Sequence, residues 1–193
     1  VETGGNPHMR FVTLNYTSVL EKIFPVTGRL ITGKDYYISS PIHHVHGSID
    51  RRISLGVNDE SQLSTYIDTE EKKYLIKPQL IRSMNDGRLE TLSSYITTSA
   101  VIVLFGVSLG ATDRYIWEMV IDWMYSDPNR LLIIHHYEHG LDVDDLTERE
   151  SLQLSDRVKN KFLSYSDLGD DDMDYLRLKM YTIPNSSNLF TAR

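Results

Sequence analysis

The side chains of this sequence best suited to chemistry are histidines and polar residues that follow short apolar runs. Asn15-Tyr16-Thr17 follows the run Arg10–Leu14, and His46-Gly47-Ser48 follows the run that begins at Ile42. Because the unperturbed pKa of an imidazole is about 6.5, His46 is suited to exchange a proton near neutral pH. A following glycine allows close approach by another backbone or a ligand. We therefore predict a site that includes Asn15 and His46.

Two further polar clusters occupy equivalent places later in the chain. Gly106-Val107-Ser108, with Asp113 nearby, follows the apolar run Ala100–Phe105, and His135-His136 ends the run that begins at Leu131. In an open parallel sheet, ligands bind outside the carboxyl ends of the strands. We therefore expect the four clusters to converge at one sheet edge.

The elements that must position these residues are strands alternating with helices. Ala100–Phe105 is apolar throughout, which is typical of a strand covered on both faces, and a second short strand is expected over Ile53–Val57. Thr112 or Asp113 is a candidate cap for the helix that follows, and Thr147 to Glu150 has the pattern of a capping box. This order predicts a three-layer, Rossmann-like α/β domain with a mainly parallel sheet.

Composition limits the classes of function. The 193 residues include 20 basic and 27 acidic side chains, for a formal net charge of −7, which argues against a nucleic-acid partner. The absence of cysteine excludes disulfides and cysteine-ligated zinc. The longest apolar run is much shorter than the ~20 residues that span a bilayer, so we expect a cytoplasmic protein without a membrane partner. We expect residues 1–9 to be a tag or linker and residues 10–193 to form a single domain.

The chemistry-bearing motifs resemble, in order, those of the AbiH family, a sirtuin-like group. They are Thr13 to Thr17 with Glu21, His44 to Ser48, and Gly106 to Gly110 with Asp113. The resemblance covers most of the region from Phe11 to Tyr137. It implies a role in abortive infection of phage-infected bacteria, with NAD as the nucleotide ligand or substrate.

The resemblance also implies roles for individual residues. Asn15 would contact the nicotinamide ribose and help to place a water molecule, while His46 would act as a general base. The reaction would cleave the N-glycosidic bond of NAD, giving nicotinamide and either ADP-ribose or a cyclic form of it. The cofactor-binding residues would be Tyr16, Thr17, Gly47, Gly106, Ser108 and Asp113.

Two departures from the sirtuin-like pattern modify these expectations. Without cysteines the chain lacks the zinc module of sirtuin deacetylases, so deacetylation is not expected. The family's opening strand and glycine-rich phosphate loop would lie upstream of Asn15, where only ten residues precede Phe11. We therefore expect a domain that lacks its first β-α unit and forms the C-terminal part of a longer protein.

Three functions besides that of an NAD enzyme remain open. The first is a serine hydrolase, because Gly106 to Gly110 matches the G-x-S-x-G pattern in which Ser108 would be the nucleophile. The acid would then be Asp122 or Asp127, and the base His135 or His136. The second is a nucleotide-sensing module without turnover, and the third is a domain that contributes only a homo-oligomer surface.

A metal site is not expected, although the histidines form two groups. His44 and His46 would share one face of a strand, and His135, His136 and His139 lie close together in sequence. Neither group has a carboxylate at a spacing typical of a metal site.

Overall fold

The computed structural model describes residues 8–23, 27–29, 35–38, 41–140, 142 and 145–185. The chain divides into two compact units, Val1–Tyr95 and Ile96–Arg193, which we call the N-terminal and C-terminal units. This division does not test the predicted single domain, which stays a prediction.

In its described residues, the N-terminal unit contains short strands, a short first helix and three further α-helices. Its strands are β1 (His8–Met9), β2 (Val12–Thr13), β3 (Thr27–Arg29), β4 (Asp35–Ile38) and β5 (His43–His44). Its helices are α1 (Val19–Ile23), α2 (Thr69–Lys72), α3 (Lys77–Met84) and α4 (Arg88–Thr97), the last of which extends into the C-terminal unit.

Two small sheets organise the strands of this unit. One has the order β1-β4-β3, with β1 and β4 parallel and β3 and β4 antiparallel. The other pairs β2 with β5 in parallel, with Val12 opposite His43 and Thr13 opposite His44. The second sheet matters for function because both predicted motifs of this unit leave from its strands.

The predicted strand Ile53–Val57 does not form, which corrects that expectation. Among the described residues only Val57 pairs there, in an isolated parallel bridge with Ile76. The amide of Val57 donates to Leu75 O at 2.8 Å and the amide of Lys77 donates to Val57 O at 2.8 Å. The segment therefore lies beside the start of α3 through one bridge, while its apolar side chains Ile53 and Leu55 are exposed.

The C-terminal unit alternates strands and helices. Its strands are β6 (Val101–Phe105), β7 (Leu131–His136) and β8 (Met180–Pro184). Its helices are α5 (Arg114–Tyr125), α6 (Glu148–Leu163) and α7 (Asp170–Arg177). The strands form a parallel sheet in the order β6-β7-β8. The α/β class with mainly parallel pairing, as in Rossmann-like folds, is confirmed.

Helices cover one face of this sheet. Leu132 and Ile134 are fully buried on that face, and Thr182, opposite Ile134, donates to Ser155 of α6 at 2.8 Å. Trp117 of α5 contacts Phe162 of α6 edge-on, with ring centroids 6.3 Å apart. The core of this unit therefore lies between the sheet and these helices.

The opposite face of the sheet is apolar and partly exposed. Val101, Val103 and Phe105 of β6 are 45–46% exposed, and Tyr181 and Ile183 of β8 are also exposed. The prediction that both faces of the strand formed by the run Ala100–Phe105 are covered is therefore wrong. Side chains alternate along a strand, so a continuous apolar run cannot by itself show which face is packed.

Candidate functional site

The Asn15 and His46 motifs leave the same edge of the β2-β5 sheet. Because the two strands are parallel, the segments after Thr13 and after His44 emerge at the same end. The amide of Val45 donates to Thr13 O at 3.2 Å, and the amide of Ile49 donates to Tyr16 O at 2.8 Å. The two turns are therefore joined by backbone hydrogen bonds.

His46 and Asn15 differ in exposure. The ring of His46 is 2% exposed and lies with its centroid 6.2 Å from that of Tyr16, at an interplanar angle of 54°. Asn15 and Thr17 are exposed. The amide of Asn15 donates to the hydroxyl of Thr13 at 3.1 Å, which fixes the turn and leaves the carboxamide at the surface. The motif thus combines an exposed asparagine with a buried imidazole beside an aromatic ring.

His44 lies between the two segments. Its Nδ1 is 3.1 Å from Asn15 O, and its Nε2 is 2.6 Å from Glu21 Oε1 of α1. The sequence placed His44 and Glu21 within the motifs but did not predict this pair. Periodicity could not have revealed it, since 23 positions separate the two residues.

Arg88 holds the histidine turn from the other side, a role that the sequence did not reveal. Its guanidinium donates to Val45 O at 3.3 Å and to the Ser54 hydroxyl at 3.3 Å, and its Nε contacts Asp86 at 2.8 Å. Partial burial tends to raise the pKa of Asp86, but the hydrogen bond and charge of Arg88 bring that pKa below its usual value. Arg88 is therefore an ion-paired anchor for the turn.

His43 also contacts Arg88. Its Nε2 donates to Arg88 O at 2.8 Å, which fixes its tautomer in the neutral form. Burial, with the nearby charges of Arg88 and His44, lowers the pKa of His43 below its usual value.

Gly47 is required by a backbone contact. Its φ is +81°, and a Cβ placed there would lie 1.7 Å from Arg52 O. The resemblance implies close approach of backbone to a cofactor at this residue. In the structure, the backbone of Gly47 lies close to the backbone carbonyl of Arg52. This contact alone explains why the position requires glycine.

In the C-terminal unit, three side chains anchor the turn after β6 through consecutive carbonyls. Lys161 donates to Ser108 O at 2.9 Å, Tyr165 to Leu109 O at 2.7 Å, and Trp117 to Gly110 O at 2.9 Å. A 3₁₀ turn (Ala111–Asp113) then leads into α5. Asp113 occupies the N-cap position as predicted, but its side chain makes no capping hydrogen bond.

The serine-hydrolase arrangement is not formed among the described residues. In a nucleophile elbow the serine itself sits on the strained turn. Here the positive φ values belong to Gly106 (+65°) and Leu109 (+47°), and not to Ser108. Nδ1 of His135 and both ring nitrogens of His136 have no hydrogen-bond partner in the described part of the chain, so neither imidazole is paired with an acid.

Comparison with known families identifies the group to which these motifs belong. The family model of AbiH, described as bacteriophage abortive infection AbiH, matches residues 3–135. This chain belongs to the AbiH family. The membership gives the chain a role in phage abortive infection. Neither the curated proteins nor the solved structures give a match.

The residues predicted to bind or cleave NAD all lie within the region matched by AbiH, in two groups. Asn15, Tyr16, Thr17, His46 and Gly47 are brought together in the N-terminal unit. Gly106, Ser108 and Asp113 lie at the end of β6 and start of α5 in the C-terminal unit. Their strands form separate sheets, so the expected convergence of four clusters at one edge of a single sheet is wrong.

Metal-binding clusters and membrane-spanning helices are both absent from the described part of the AbiH chain. Among the described residues, no three His, Asp or Glu side chains are grouped so that they could hold a metal ion. In the same ranges, no helix combines the length and apolar character needed to cross a membrane.

Proposed function

We propose that this AbiH chain binds NAD and cleaves its N-glycosidic bond, which would deplete NAD in a phage-infected cell. The proposal rests on the Asn15 and His46 motifs at one edge of the β2-β5 sheet, joined by the Ile49–Tyr16 hydrogen bond. Parallel strands direct their following turns to the same edge, where ligands of such sheets bind.

In the proposed reaction, water attacks C1′ of the nicotinamide ribose and the bond from C1′ to the nicotinamide nitrogen breaks. Nicotinamide leaves as a neutral molecule, and the water gives up one proton. The exposed carboxamide of Asn15 contacts the ribose and orients the water. His46 receives the proton, and because it is 2% exposed a local movement must first give the water access to its ring. The products are ADP-ribose and nicotinamide.

The test is nicotinamide release by the purified chain, with NAD binding measured by calorimetry. Loss of a general base lowers turnover by about 100-fold or more, so His46→Gln is expected to do so. His139→Gln is the matched control, because His139 is exposed and lies outside both motifs. Circular dichroism establishes that each variant is folded.

A second variant separates ligand contact from packing. Asn15→Ala removes an exposed carboxamide, so release should fall while the unfolding transition stays unchanged. Absence of both NAD binding and nicotinamide release in the unaltered chain would overturn the proposal, and an active-site serine probe would then test Ser108. Binding without release would favour a nucleotide-sensing module.

A further inference from the structure

The ring of His44 is held between two hydrogen-bond acceptors. Nδ1 lies 3.1 Å from the backbone carbonyl of Asn15, and Nε2 lies 2.6 Å from the carboxylate of Glu21. The side chain of His44 is 14% exposed and that of Glu21 is 39% exposed. The contact therefore connects β5, α1 and the turn that carries the Asn15 carboxamide.

The number of protons in this contact follows from the chemistry of the partners. A carbonyl only accepts hydrogen bonds, and so does an ionised carboxylate. Partial burial tends to raise the pKa of Glu21, but hydrogen bonds from His44 and its own amide, with the His44 charge, bring that pKa below its usual value. Glu21 is therefore an acceptor, and both ring nitrogens of His44 must donate. Only the imidazolium form satisfies both bonds.

Among the described residues, His43 on the same strand also lies beside His44. Its ring donates to Arg88 O, and it lies beside the ion pair of Arg88 with Asp86. The charge of His44 is among the causes that lower the pKa of His43, after burial and the Arg88 charge. The two adjacent histidines therefore make different contacts, since the ring of His43 donates to one carbonyl and the ring of His44 lies between two acceptors.

We propose that the imidazolium of His44 is a positioning group that ties the Asn15 backbone to Glu21 and so fixes the Asn15 carboxamide for the NAD reaction. This inference rests on the proposed function. Loss of one ring proton leaves a single donor for two acceptors, so either the Asn15 bond or the Glu21 bond breaks. The neutral ring therefore cannot hold both bonds, and nicotinamide release is expected to be slower from that form.

Glu21→Gln is the decisive variant, because a carboxamide both accepts and donates. A neutral His44 can then keep its Nδ1–H bond to Asn15 while Nε2 accepts from the new amide. The fall of kcat at high pH is expected in the unaltered chain and should be absent from the variant, with KM changed less than about 3-fold because positioning acts on the chemical step. Glu71→Gln, an exposed acid on α2, is the matched control and should retain the fall.

A measurement without NAD tests the same contact. In ¹⁵N NMR of histidine-labelled protein, assigned with His44→Gln, the His44 ring should carry a proton on each nitrogen while both of its hydrogen bonds are formed. Loss of the second proton should move the amide resonance of Asn15 over the same pH range. The proposal is overturned if the His44 ring carries one proton at every pH measured. It is also overturned if the Asn15 amide resonance does not change when the His44 ring loses its second proton.

The two measurements separate this inference from the proposed function. If nicotinamide is released with the same pH profile in the unaltered chain and in Glu21→Gln, the positioning role is wrong and the NAD reaction stands. If NMR shows the coupled titration but no nicotinamide is released, the NAD reaction fails, and the positioning role fails with it.

Discussion

At the scale of single residues, the histidine turn is held by contacts that tolerate little change. Gly47 packs directly against Arg52 O, and Arg88 donates to Val45 O just before the turn. A side chain at Gly47 would have to displace backbone, which is costly because close-packed interiors relax only partly. The geometry offered to a ligand by the AbiH motif therefore depends on residues that need not touch it.

Gly47→Ala is expected to destabilise the chain strongly. The positive φ alone costs an alanine about 1–2 kcal/mol, and the overlap with Arg52 O adds about 3 kcal/mol or more. Gly87→Ala is the control, because Gly87 has φ +73° but nothing within 4 Å of the added Cβ. Chemical denaturation measures both variants, and equal losses of stability would contradict the close approach at Gly47.

At the scale of elements, the helices of the C-terminal unit are fixed at their ends by different means. α6 begins with a local capping box, in which Thr147 Oγ1 accepts from the Glu150 amide at 3.3 Å and Glu150 accepts from the Thr147 amide at 3.0 Å. α5 ends against a distant residue, since the buried Lys179 donates to Met124 O and to Asp127 O. The capping box can be predicted from residues that are adjacent in sequence. The contact of Lys179 with the end of α5 cannot, because the partners are far apart in the chain.

Thr147→Ala tests the capping box of α6. Loss of the hydroxyl leaves the Glu150 amide without its cap, which should lower the free energy of unfolding by about 1 kcal/mol. Ser151→Ala, four residues later on the exposed side of the helix, should leave stability unchanged or slightly raised. Thermal or urea denaturation distinguishes the two, and an effect of the same size and sign in both variants would argue against the cap.

At the scale of the whole molecule, buried imidazoles make the fold sensitive to acid. Burial is the main cause that lowers the pKa values of His43, His135 and His136 below 6.5. A base with a lowered pKa in the folded state binds its proton more readily when unfolded. Stability is therefore fully present above about pH 6.5 and is lost as the pH falls from there toward the folded pKa values.

We predict that the C-terminal unit loses stability as the pH falls from about 7 to 5. Both tryptophans, Trp117 and Trp123, lie in this unit, so their fluorescence during urea unfolding reports it alone. The slope of the free energy of unfolding against pH should correspond to an uptake of one to two protons on unfolding. This slope should decrease in His136→Gln. It should persist in His139→Gln, and a free energy of unfolding that is flat over this range would contradict the prediction.

The sequence by itself determined the elements whose signals are local. The N-terminal residues of α5 and α6 and the runs that form β6 and β7 are found where they were expected. The order of the AbiH motifs was also readable, since each motif is a short run of adjacent residues.

Only the tertiary structure decided which of these elements meet. It divided the four polar clusters between the β2-β5 and β6-β7-β8 sheets, and it left one face of the latter sheet exposed. It also brought Glu21 to His44 and Arg88 to the histidine turn. Local propensity fixes a segment's own conformation. Its partners depend on contacts between residues far apart in the chain, and no short window of sequence contains both members of such a contact.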